Sequence, residues 1–155
     1  MKPLSGFYHL NVRFNLTRFR RFITFAHPFM KKIRTKTDEI TIDEHGIVHK
    51  KVIEGVHICR TDVQETEEAC AKLSGQDKYL VLVDATALHT MTPEGTEELK
   101  KTLDTKRIAT AILSDKLGIR ILFSYLSQRE GGSTPLQLFT EKEEAIQWLL
   151  QFKKN

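Results

Sequence analysis

Cysteine is scarce: Cys59 and Cys70 are too few and too casually spaced for a disulfide framework, and nothing points to an extracellular home. No apolar run approaches the roughly 18 residues that a membrane-spanning helix needs. Also missing are Gly-x-Gly-x-x-Gly, the phosphate-loop signature, the Gly-x-Ser-x-Gly elbow and His-Glu-x-x-His. What is present is an ordinary globular composition, 40% apolar and 28% charged over 155 residues, with room for one core of normal size. The expectation is a cytoplasmic protein that is not an enzyme and uses no cofactor or metal.

Acids are absent from residues 1–37, which carry nine of the 24 basic side chains. The remaining fifteen basic residues face all twenty acids, so the basic pI belongs to the front end and the body is mildly acidic. That argues against nucleic-acid binding by the body. Six of nine phenylalanines fall within residues 1–29. Leu10, Val12, Phe14 and Leu16 alternate as in a strand. Phe19, Phe22, Phe25 and Phe29 share a helical face that Arg18 interrupts. The segment can be read as a basic membrane anchor, as an organellar transit peptide, or as lying outside the functional protein, with a start at Met30. Membrane contact is expected only if residues 1–29 are real. Residues 1–37 are taken as an arm outside the fold, and 38–155 as the domain.

From residue 38 the pattern alternates. Ile40–Ile42 and Ile47–Ile53 read as strands around the turn Asp43-Glu44-His45-Gly46, and Val56-His57-Ile58 as a brief third. Thr61 and Gln64 suggest a capping box for a helix ending near Ser74-Gly75. Tyr79–Val83 and Ile108–Leu113 read as strands covered on both faces. Thr92-Pro93-Glu94 opens a helix running to about Lys106, and a third helix spans Lys116–Gln128. Leu136–Phe139 is the last strand, and Thr140 with Glu143 suggests a box opening the final helix, through Trp148. The expected fold is a single α/β domain with a mainly parallel sheet, an N-terminal hairpin and about four helices.

Few residues invite chemistry. Asp84, Thr86, Thr92, Ser114 and Asp115 lie at or beyond strand carboxyl ends, where parallel sheets bind ligands, so they can line one crevice. The competing reading is that each merely caps or ends its element. His45, His49, His57 and Cys59 cluster near the hairpin, but their spacing matches no common zinc site. Gly131-Gly132-Ser133 follows a helix instead of opening one, so it reads as a plain loop. In the Lys116–Gln128 helix, Leu117, Ile121 and Tyr125 suffice to cover the sheet. Ile119, Phe123 and Leu126 form a second stripe, expected to face a partner or ligand.

Several of these features together resemble the SpoIIAA-like branch of the STAS superfamily, the anti-sigma-factor-antagonist fold. They are the hairpin at Asp43–Ile47, the strand Tyr79–Asp84, the helix opening Thr92-Pro93-Glu94-Gly95, and the ending Pro135–Phe139 with Glu144–Leu149. The resemblance implies a regulatory or protein-interaction module. Its partner is an unknown protein, a second copy included, or alternatively a small apolar ligand or lipid. The family's phosphorylatable Asp-Ser-Ser/Thr-Gly falls here on Thr92-Pro93-Glu94-Gly95, with proline at the acceptor position, so no phospho-switch is expected. Residues 1–29 are expected to be dispensable: a chain starting at Met30 should melt at nearly the full-length temperature in a calorimetric scan, and a loss of many degrees would contradict this.

Overall fold

The strands begin earlier than the charge pattern suggests. In the computed structural model, which describes residues 31–153, β1 (Lys32–Arg34) pairs antiparallel with β2 (Asp38–Ile42), Ile33 opposite Ile40. Lys32 and Arg34 reach Glu39 at 3.3 and 2.8 Å, Lys36 reaches Asp62 at 3.4 Å, and Thr37 is buried. The boundary at residue 38 is therefore corrected: residues 32–37 belong to the fold, because their charges find acids within it. The readings of residues 1–29 lie outside the described residues.

β2 turns into β3 (Val48–Val52) around Asp43, whose carboxylate accepts the N–H groups of His45 and Ile47, both at 2.9 Å. Gly46 takes φ 77° there, a conformation glycine adopts at little cost. The order continues with β4 (His57–Ile58), α1 (Arg60–Ser74), β5 (Tyr79–Asp84), β6 (Thr90–Met91), α2 (Pro93–Thr105) and β7 (Arg107–Leu113). It closes with α3 (Leu117–Ser127), β8 (Leu136–Phe139) and α4 (Lys142–Leu150). The six-stranded sheet has the order β1-β2-β3-β5-β7-β8, parallel from β3 onward, while β4 and β6 form a small parallel pair.

Two expected caps are corrected. α1 begins at Arg60, and Asp62 accepts the Cys59 N–H at 2.9 Å, two residues ahead of the Thr61–Gln64 box. That bond holds the Asp62 carboxyl below its ordinary value. At α4 the N-cap is Glu141, with no side-chain cap bond, in place of the Thr140–Glu143 box.

Strands β3, β5, β7 and β8 advance across the sheet in one direction, so right-handed crossovers put their connecting helices on one face. On that face Ile40, Val48, Tyr79 and Val81 pack against Ala69, Cys70 and Leu73 of α1. α4 has no further strand to reach and covers the opposite face, where Leu80, Leu82, Ala109, Ala111 and Leu113 meet Ala145 and Leu149. Phe139, Trp148 and Phe152 close its edge, with ring centroids 5.6 and 4.9 Å apart.

A charged cluster lies beneath α1. Arg107, 2% exposed, binds Glu67 through Nη2, and the Tyr79 hydroxyl donates to the other Glu67 oxygen at 2.9 Å. Asp38 accepts the hydroxyls of Thr37 and Thr66 at 2.6 and 2.9 Å, and Lys50 lies 3.8 Å from its other oxygen. Burial pushes the Cys70 thiol up to about 11 and the Tyr79 hydroxyl higher still, so both are neutral in the folded protein. Removing one member of a buried ion pair strands the other charge. Arg107→Leu should therefore cost about 3–5 kcal/mol in urea unfolding, with part regained in the Glu67→Leu double variant. Equal loss in both would show that the pair is not what the core depends on.

Candidate functional site

On the sheet face that α4 covers, the hairpin strands β2 and β3, their turn and the end of β5 border a groove of about 630 Å³. Its floor includes Leu82 and Leu113, and its rim Thr41, His49, Lys51, Asp84 and Lys142. The groove exists because α4 covers β5, β7 and β8 and leaves the hairpin strands bare on that face. A shallower depression of about 570 Å³ adjoins it across Glu39 and Lys51 and carries Thr86, Leu88 and Lys116.

Of the residues expected to line one crevice, Asp84 and Thr86 come together: Asp84 accepts the Thr86 hydroxyl at 2.6 Å and its N–H at 3.1 Å. Ser114 is buried, donates to the Ala85 carbonyl at 3.0 Å and accepts the Lys116 N–H at 3.2 Å. It pins the loop after β5 to the end of β7. Asp115 points to solvent. Thr92 caps α2, its hydroxyl accepting the Gly95 N–H at 3.0 Å. A side chain on Gly95 would meet the Ile58 carbonyl at 3.0 Å, so glycine there lets α2 approach the start of α1.

The histidines go to separate partners. His49 pairs with Asp43 at 2.8 Å, His57 with the Thr90 hydroxyl at 2.6 Å, and His45 lies 3.6 Å from Glu44. Cys59 Sγ contacts the Thr61 hydroxyl at 3.1 Å, and among the described residues no group of three or more such side chains is arranged to hold a metal. The groove thus offers mixed charge and an apolar floor. Of its polar side chains, Asp43, His49 and Asp84 are engaged in turns and Glu39 pairs with Lys32 and Arg34.

The two stripes of α3 are reversed from expectation. Leu126 is 1% exposed, with Ile119, Leu122 and Phe123 half-buried, whereas Leu117, Ile121 and Tyr125 are 72%, 63% and 44% exposed. The reason is visible in the polar residues: Arg120 and Ser124 fall on the same arc as Leu117 and Ile121, and that arc turns to water. Arg129 anchors the C-terminal end of α3, donating to Asp104 and to the carbonyls of Leu126 and Thr134.

Behind α3 lies an enclosed space of about 50 Å³, lined by Ile119, Leu122 and Leu126, by Leu99 and Leu103 of α2, and by sheet residues including Lys50, Arg107 and Thr110. Those three polar residues were not singled out from the sequence. Lys50 was legible, since it alternates in step with the inward-facing Val48 and Val52.

This topology is that of the SpoIIAA-like α/β fold. A crystal structure of an uncharacterized protein of the DUF3478 family from Shewanella loihica PV-4, described as having a SpoIIAA-like fold, is similar with a TM-score of 0.52. The identity is 15%, over 77% of this chain and 91% of that one. The chain itself belongs to the family described as Domain of unknown function (DUF7793), which matches residues 40–153. No curated protein sequence matches at a significant level. No helix among the described residues is long and apolar enough to cross a membrane.

Because Thr92 spends its hydroxyl as a cap, Thr92→Ala should cost about 0.5–2 kcal/mol in denaturant unfolding. A kinase-dependent mass shift mapped to Thr92 in cells would contradict the expectation that no phospho-switch operates there.

Proposed function

We propose that the chain is a non-enzymatic, cytoplasmic interaction module whose regulatory role runs through protein contact and not through phosphorylation. The observation that carries this reading is the exposed stripe Leu117, Ile121 and Tyr125 on α3. Leu88, 64% exposed, adds a further apolar side chain, in the depression that it lines together with Lys116 at the start of α3. Apolar patches of this kind, rimmed by charge, mark contact surfaces. Here the rim includes Lys100 above the Tyr125 ring at 4.7 Å and Glu97, which accepts the Tyr125 hydroxyl at 2.6 Å.

The occupant we assign is a second copy of the chain. A stripe spaced i, i+4, i+8 packs against itself antiparallel about a two-fold axis. That arrangement sets Lys116 and Arg120 of one copy toward Glu97 of the other. Sedimentation equilibrium should show concentration-dependent dimers for the wild type and monomers for Ile121→Asp, with the circular-dichroism spectrum unchanged and the concentration dependence of the melting temperature lost. A monomeric wild type, or dimers that survive Ile121→Asp, would overturn this assignment.

A second reading, a carrier of a small apolar ligand, is favoured by the enclosed space behind α3. At about 50 Å³ it suits a molecule of a few heavy atoms and not a long acyl chain.

A further inference from the structure

Four buried side-chain atoms among the described residues have no hydrogen-bond partner: Asp38 Oδ1, Arg107 Nε, Arg107 Nη1 and Thr110 Oγ1. Arg107 and Thr110, each 2% exposed, both line the enclosed space behind α3. Arginine carries five N–H donors, and Glu67 engages Nη2 alone. Nε and Nη1 are thus left to find an acceptor that the protein does not supply. Lys50 lines the same space, and its ammonium stands 3.8 Å from Asp38, beyond hydrogen-bond reach.

Water satisfies buried polar atoms where it finds two to four polar partners. Arg107 and Thr110 offer that many, but most of the remaining wall is apolar, with Leu99, Leu103, Ile112, Leu122 and Leu126, which water leaves unserved. A space of about 50 Å³ admits roughly four heavy atoms, at the 10–15 Å³ that one water requires. An occupant that suits both sides has an oxygen acceptor at one end and a short alkyl group at the other.

We propose that this space binds a short aliphatic carboxylate of acetate size, a ligand class that rests on the second reading above and names its polar end. One carboxylate oxygen accepts from the free guanidinium N–H groups of Arg107 and the other from the Thr110 hydroxyl. Lys50 contributes charge, and the alkyl end lies on Leu103, Leu122 and Leu126. Glu67 and Asp38 already offset the two cations, and the ligand is small, so affinity on the order of millimolar is expected.

The test uses the full chain with three probes: acetate against chloride at matched ionic strength, its neutral isostere acetamide, and xenon. Acetate should raise the melting temperature and shift the amide resonances of Arg107, Thr110 and Leu122 in a saturable way. Thr110→Val removes an unpartnered hydroxyl without opening a hole, so the variant should fold, and acetate should bind it about ten-fold more weakly. Leu122→Trp, which fills the space, should abolish the response. Acetamide binding as tightly as acetate, or unchanged acetate affinity in Thr110→Val, would overturn the carboxylate assignment. Xenon binding without acetate binding would overturn it too while leaving the apolar-ligand reading standing. Failure of all three probes would sink both.

Discussion

Arg107 enters the sheet at the first position of β7, and its guanidinium ends beneath α1 against Glu67, out of reach of water. Such a charge is tolerable only if its partner is held in place, and here the partner is itself held by the Tyr79 hydroxyl from β5. Three elements, α1, β5 and β7, are thereby locked to one relative position. Thr110, on the same strand, lines the same space as Arg107, two of whose nitrogens Glu67 does not satisfy. Much that distinguishes this domain from a plain apolar core follows from that one pair.

The handedness of the crossovers decides the rest. With four parallel strands laid down in one direction, α1, α2 and α3 share a face. α3 connects β7 to β8 at the sheet's edge, where less sheet lies beneath it, and so buries only Leu126 fully. The same geometry that makes α3 a thin wall over the enclosed space leaves its outer stripe bare. The exposed stripe and the cavity wall are two sides of one helix.

How legible this was differs by element. β8 lies at its expected bounds, and the Thr92 cap, the proline behind it and the Ser74-Gly75 stop are as read, because each rests on local chemistry. β1 was missed since its signature is only Lys32-Ile33-Arg34, a charged trio that becomes a strand by pairing with Glu39 and Ile40. Asp84 and Thr86 do meet, but as a turn. Thr92 and Asp115 have other duties or none that the geometry records.

The sequence by itself determined the order of elements apart from β1 and β6, the parallel core strands and the proline that follows the Thr92 cap. These follow from period, capping residues and side-chain identity, all of which act within a few positions along the chain. Only the tertiary structure decided that Lys36 and Lys50 find Asp62 and Asp38, and that Arg107 is buried with unpaired donors beside an apolar space. Arg120 and Ser124 mark the outward arc of α3 in the sequence, but what the sheet and α2 present beneath the helix is known only once strands distant in sequence have come together.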